Sequence, residues 1–159
     1  IPIGAAIAVV ADNETQVEEA CTRLARVGHE TVTGFILLHN YNGDIKSIEQ
    51  VLVEEVSELT KTEKYLQFVD VRRAGEHAAE HAVRTINIPL DRLGADFDKL
   101  DPNVPTFVIC QGGYRSSLGT SILENAGFRT IYNVTGGTKA WTDAGLETEI
   151  SATACASSK

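Results

Sequence analysis

The chain has 159 residues, enough for one domain, or one domain plus a fragment, with a real buried core. A formal net charge of −8 argues against a nucleic-acid partner or a membrane surface, and no apolar stretch is long enough to cross a bilayer. Three cysteines, Cys21, Cys110 and Cys155, show neither metal-like spacing nor a C-x-x-C pair. Their odd number and scatter fit a reducing compartment, so the cytoplasm is the expected location, with no metal or cofactor. The chain holds no methionine, not even at position 1, which points to a piece of a longer protein or a processed one.

The apolar start, Ile1 to Ala11, lacks a basic leader and a cleavage site, and it reads as a buried strand from Ala6 to Ala11. Asp12-Asn13-Glu14-Thr15 is a helix-start cluster with Asp12 or Asn13 as the cap. Val17, Ala20, Leu24 and Val27 at helical spacing predict a helix over 14–27, closed by Gly28. A second strand is expected over 31–38. Asn40 to Asp44 is turn-rich and marks a domain boundary.

Beyond it, the pattern predicts a short strand over 47–51, a helix over 53–60 and a strand over 65–71. A short helix over 73–81 follows, with a strand over 85–88 stopped by Pro89 and one or two short helices over 90–100. The run Thr106 to Ile109 is mostly apolar and β-branched without alternation, as in a central parallel strand. A helix over 116–126, opened by Ser116 or Ser117 and closed by Gly127, leads to a last strand over 130–134. Gly136-Gly137 turns into a final helix through Trp141, closed by Gly145. The small polar stretch 151–159 reads as a flexible tail.

Between the strand over 106–109 and the next helix stands Cys110-Gln111-Gly112-Gly113-Tyr114-Arg115-Ser116. The glycine pair lets backbone N–H groups turn towards one point, and the helix N-terminus adds positive partial charge there. A sulfur at that point ionises easily beside Arg115, which suggests a reactive thiolate facing an anionic substrate. An ungapped offset of 99 residues lays Val9 on Val108, Leu24 on Leu123, Gly28 on Gly127 and Thr31 on Thr130. The leading strand–helix–strand therefore reads as a second copy of this unit. In that copy Ala11 replaces Cys110, Gln16 replaces Arg115 and Asn13-Glu14 replaces Gly112-Gly113, so the scaffold remains without the chemistry.

Four motifs in order make residues 46–150 resemble a rhodanese domain, the sulfurtransferase fold. The family's C-x-x-G-x-R-S loop stands at Cys110 to Ser116, and its D-V-R at Asp70-Val71-Arg72. Its E-x-x-x-x-H segment runs from Glu76 to His81, and its G-G-x-x-A-W from Gly136 to Trp141. The sequence departs from the family at Glu80, where glycine is usual, and at Val83-Arg84-Thr85, where P-G-A is usual. The resemblance implies an α/β fold: a parallel β-sheet flanked by helices on both faces, with an extra N-terminal βαβ unit. Residues 1–45 are similar to the back half of a degenerate repeat. This arrangement resembles fusions in which a metallo-β-lactamase-fold domain precedes tandem rhodanese domains. Such an upstream domain would be missing here, since no H-x-H-x-D-H motif occurs.

What the resemblance implies for function is transfer of sulfane sulfur from thiosulfate or a persulfide to a thiol or cyanide. Cys110 is the nucleophile, carried as a persulfide between two half-reactions. Arg115 binds the anionic donor or pairs with Asp70 or Glu76. Gln111, Gly112, Gly113, Tyr114 and Ser116 form the cradle, and Asp70, Arg72, Glu76 and His81 support it. Trp141 is core and Cys21 inert; Cys155 could act as a resolving thiol. The expected partners are a small sulfur-anion or persulfide donor and a thiol acceptor. Two alternatives stand beside this reading: a cysteine phosphatase or arsenate reductase, and a non-catalytic sulfur-carrier or interaction module. Only four residues separate Cys110 from Arg115, one fewer than the C-x(5)-R of tyrosine phosphatases. The smaller cradle favours a sulfur atom over a tetrahedral phosphate.

Overall fold

A computed structural model describes residues 1–44 and 46–151. The chain falls into two compact units, Ile1–Lys46 and Ser47–Lys159. Among the described residues no helix is long and apolar enough to cross a membrane. Cys155 and the predicted tail beyond Ser151 lie outside the described residues.

The first unit is β1 (Ile7–Ala11), α1 (Glu14–Arg26) and β2 (Val32–Leu37), the two strands pairing in parallel. Asn13 caps α1, its side chain accepting from the Gln16 amide. Val9, Ala11 and Val17 form a small core, with Cys21 packed against it. A parallel pair needs cover on both faces. This unit covers one, and Val10 and Ile36, partners on the other face, stay exposed.

In the second unit five parallel strands form a sheet: β3 (Glu49–Val51), β4 (Gln67–Asp70), β6 (Ile86–Asn87), β7 (Thr106–Ile109) and β8 (Ile131–Val134). Their order is β3-β8-β7-β4-β6, which puts β7 in the middle. Alternate β7 side chains build both cores, as a strand buried on both faces must. Val108 and Cys110 face Leu93 of α4 (Leu90–Asp96) and Leu123 of α5 (Tyr114–Asn125). Phe107 and Ile109 face Val53 and Val56 of α2 (Val53–Thr62) and Trp141 of α6 (Gly137–Asp143). Trp141 is fully buried, tilts against Phe68 at 5.5 Å and donates its indole N–H to the Glu147 carbonyl at 2.9 Å. The expected α/β architecture, a parallel sheet with helices on both faces, is what forms.

Two expectations need correction. The helix predicted over 73–81 ends earlier: α3 spans Ala74–Ala79. His81 instead enters β5 (His81–Ala82), which pairs antiparallel with β9 (Thr148–Glu149). Two-residue strands carry too little periodicity to show in sequence. The helix expected to open at Ser116 or Ser117 begins at Tyr114. Gly113, at φ 100°, caps it, so the serines lie inside the first turn. The departures from the family pattern take two different backbones. Glu80 is extended at φ −169°, which any residue adopts. Arg84 sits at φ 65°, a left-handed position that suits glycine. Its guanidinium donates to the carbonyls of Thr60 and Glu63, contacts that offset the strained backbone.

Candidate active site

Cys110 follows β7 at the carboxyl edge of the sheet, where open parallel sheets place ligands. It is only 1 % exposed. The Gly113 amide donates to its Sγ at 3.2 Å and the Ser116 hydroxyl at 3.4 Å. No side chain caps α5, so the sulfur occupies the place of a cap acceptor at the helix start. Burial by itself pushes the thiol up. Hydrogen bonds from the Ser116 hydroxyl and from the amides of Ser116, Gly112 and Gly113 together outweigh it, so the thiol ionises below its ordinary range.

Two glycines hold the loop from behind. Gly136 and Gly137 take φ of 73° and 62°, which turns the start of α6 onto the loop. Thr138 N–H donates to the Cys110 carbonyl at 2.7 Å, and Lys139 N–H to the Gln111 carbonyl at 3.1 Å. A Cβ on Gly137 would stand 2.1 Å from the Cys110 carbonyl oxygen, so only glycine fits. The sequence showed the G-G pair as a turn; its contact with the loop is tertiary and had no local signal.

Arg115 closes the loop with both Nη atoms on the two Glu76 oxygens, each at 2.8 Å. Glu76 also accepts from the Arg73 amide at the start of α3. The Arg115 hydrogen bond, assisted by that amide, outweighs burial and holds the Glu76 carboxyl down at about 2. Of the two acids named as partners of Arg115, the structure chooses Glu76. Asp70 is fully buried and takes Arg72, whose Nε and Nη2 reach it at 2.7–3.1 Å. Asn87 donates to the Asp70 and Arg72 carbonyls at 2.9 Å, tying this pair to β6.

The other expected site residues divide. Tyr114 is 91 % exposed at the mouth of the loop, and Gln111 is exposed beside it. Ser116 is fully buried, its hydroxyl 3.4 Å from the Cys110 sulfur and 3.0 Å from the Gly113 carbonyl. His81 is not on the loop: its ring stacks on His77 at 3.7 Å and its Nδ1 meets the His77 carbonyl at 2.7 Å. His77 itself gave no sequence signal. Among the described residues no group of three or more His, Cys, Asp or Glu is placed to hold a metal ion.

A sequence profile of the rhodanese-like domain matches residues 52–144, more than half of the chain. The chain belongs to the rhodanese-like domain family. A curated relative, the putative sulfur carrier protein YrkF of Bacillus subtilis (strain 168), is 27 % identical over 96 residues, 60 % of this chain. The chain spans about half of that protein, 52 % of its length. Among solved structures, a rhodanese-like domain protein from Staphylococcus aureus is 31 % identical with a TM-score of 0.57. That match covers 63 % of this chain and 97 % of the other. A thiosulfate sulfurtransferase from Pseudomonas aeruginosa is 26 % identical with a TM-score of 0.59, over 91 % of this chain and 32 % of its own. The rhodanese domain here is thus related both to a thiosulfate sulfurtransferase and to a sulfur carrier.

Proposed function

We propose that this protein is a sulfurtransferase that carries sulfane sulfur on Cys110. The observation that carries the reading is the sulfur itself, buried at a helix start and held by an amide and a hydroxyl rather than by a side-chain cap. The Cys110 thiolate attacks the outer sulfur of thiosulfate or of a persulfide. A new S–S bond forms, the old one breaks, and sulfite or a thiolate leaves with the electron pair. An acceptor thiolate or cyanide then takes the outer sulfur and returns Cys110 as thiolate. Gln111, Gly112, Gly113 and Tyr114 form the cradle, and Arg115, its fork on Glu76, adds positive charge for an anionic donor. Asp70, Arg72 and Glu76 are positioning residues. The small loop supports sulfur over phosphate as cargo.

Residues 1–45 are read as a partial degenerate repeat, supported by the 99-residue offset and by the match that extends over 91 % of the chain. Intact-mass spectrometry tests the main reading. Thiosulfate, a glutathione persulfide or mercaptopyruvate should add one sulfur atom to the protein, and Cys110→Ser should abolish the addition. No mass gain with any donor sinks the proposal. Cys110-dependent turnover of p-nitrophenyl phosphate would favour a phosphatase, and loading without discharge to any thiol a carrier.

A further inference from the structure

α3 is held at both ends. Near its start, Glu76 takes the Arg115 fork and the Arg73 amide. At its other end, two side chains close carbonyls that a helix leaves free. Arg72 Nη2 donates to the Glu80 carbonyl at 2.8 Å, and His81 Nδ1 meets the His77 carbonyl at 2.7 Å. His77 and His81 are both buried, and their rings stack at 3.7 Å with 18° between the planes. The sulfur chemistry uses neither ring.

The partners fix which nitrogens carry hydrogen. The Thr85 hydroxyl gives its one hydrogen to the Ala82 carbonyl at 2.9 Å, so it accepts from His77 Nε2 at 3.0 Å. A carbonyl only accepts, so His81 Nδ1 carries the hydrogen that points to His77. The neutral pair is thereby satisfied, with His77 Nδ1 and His81 Nε2 bare. One added proton has a counter-charge, because His81 Nε2 lies 3.6 Å from the Glu149 carboxylate on β9. A cation there also suits the carboxyl end of α3. A second proton, on His77, meets a cation one ring-stack away.

The other charges near His77 offer that second proton little. Asp70 is engaged by Arg72, whose own charge opposes it, and Glu149 already faces His81. Glu80 is turned to the Thr148 hydroxyl, Glu76 to Arg115, and Arg84 to the carbonyls of Thr60 and Glu63. Burial first, and then His81, hold the His77 ring below its ordinary range.

We propose that the His77–His81 stack is an acid-sensitive latch: it holds α3 and the Glu76–Arg115 clamp while the pair carries at most one proton, and lets α3 open when both rings are charged. Closed α3 keeps His77 hard to protonate, so the open form binds the proton more readily. Closure therefore weakens as pH falls below 6.5, the ordinary histidine value, and levels off once both forms are protonated. Carboxylates titrate lower and stand outside this window. The latch needs no sulfur transfer, so it stands or falls apart from that reading.

Amide exchange on the full chain, followed by NMR and corrected for intrinsic rates, tests it from about pH 7.5 down to about pH 5, across the histidine range. The reporters are the His77 and Glu80 amides on α3 and the Arg73 amide on the Glu76 carboxylate. The Thr106 amide, bonded to the Thr130 carbonyl in the sheet, is the reference. Protection at the three reporters should fall about fivefold or more towards acid, the factor that two unit charges about 4 Å apart cost even in bulk water, while Thr106 holds. His77→Gln keeps a donor for Thr85, His81→Asn keeps one for the His77 carbonyl, and neither takes a proton. Each should flatten the profile. A flat profile in the unsubstituted protein, a fall that survives in a folded variant, or an equal fall at Thr106 would overturn the latch. So would a fall at His77 and Glu80 that leaves Arg73 unmoved. Should one variant not fold, the other decides alone.

Discussion

At the end of β1 the chain enters α1 through Ala11-Asp12-Asn13; at the end of β7 it enters α5 through Cys110-Gln111-Gly112-Gly113. In the first turn the Asp12 amide donates to the Gln16 side chain and the Gln16 amide to the Asn13 side chain, at 2.9 and 3.0 Å. Carboxamides take two of the amides at this helix start, including the Gln16 amide that the side-chain cap holds. In the second turn no side chain caps the helix, and the cysteine sulfur takes the Gly113 amide. A helix start must satisfy its free N–H groups somehow. Which atom satisfies them separates a structural turn from one built to hold an anion.

The largest contrast comes from moving the cysteine. Ala11→Cys in a Cys110→Ser background should give a protein that takes up no sulfur from thiosulfate, since Asn13 already caps the first turn and Gln16 stands where the second turn has Arg115. A mass gain there would mean that any cysteine at a strand end suffices. Next in size is Gly137→Ala. With its Cβ against the Cys110 carbonyl and φ left-handed, it should cost about 2–4 kcal/mol in denaturant unfolding. An unchanged midpoint would show that the loop can yield without its rear support.

Asn13→Ala should cost about 1 kcal/mol, the usual worth of a side-chain cap, read as faster amide exchange at Gln16 in the first turn of α1. The smallest effect is Ser116→Ala. Because the Cys110 thiol ionises below its ordinary range, the thiolate prevails above that lowered value and is lost as pH falls through it. Removing the hydroxyl should move the midpoint of ultraviolet thiolate absorbance upward. Loading below that midpoint should slow roughly twofold to fivefold. No movement would assign the stabilisation to the backbone amides alone.

The prediction of a buried central β7 rests on its mostly apolar run without alternation, and all four of its residues are buried. The loop was legible because its chemistry is contiguous: cysteine, two glycines, arginine and serine stand within seven positions. The Asn13 cap could be read for the same reason, since a cap reaches only two or three residues. Less legible was the partner of Arg115. Asp70 and Glu76 are equivalent acids in sequence, and burial of Asp70 against Arg72 left Glu76 for the loop. The contacts of His81 were not legible: α3 stops at Ala79, and β5 stacks its ring on His77.

By itself the sequence determined the strand–helix alternation, the position of the central strand and the seven-residue loop, because each is written in local periodicity or in adjacent residues. Tertiary structure decided which acid holds Arg115 and why Gly137 can be nothing else. Those depend on groups far apart in the chain meeting within hydrogen-bond or van der Waals range. The sheet order β3-β8-β7-β4-β6 arranges that meeting, and no local pattern encodes it.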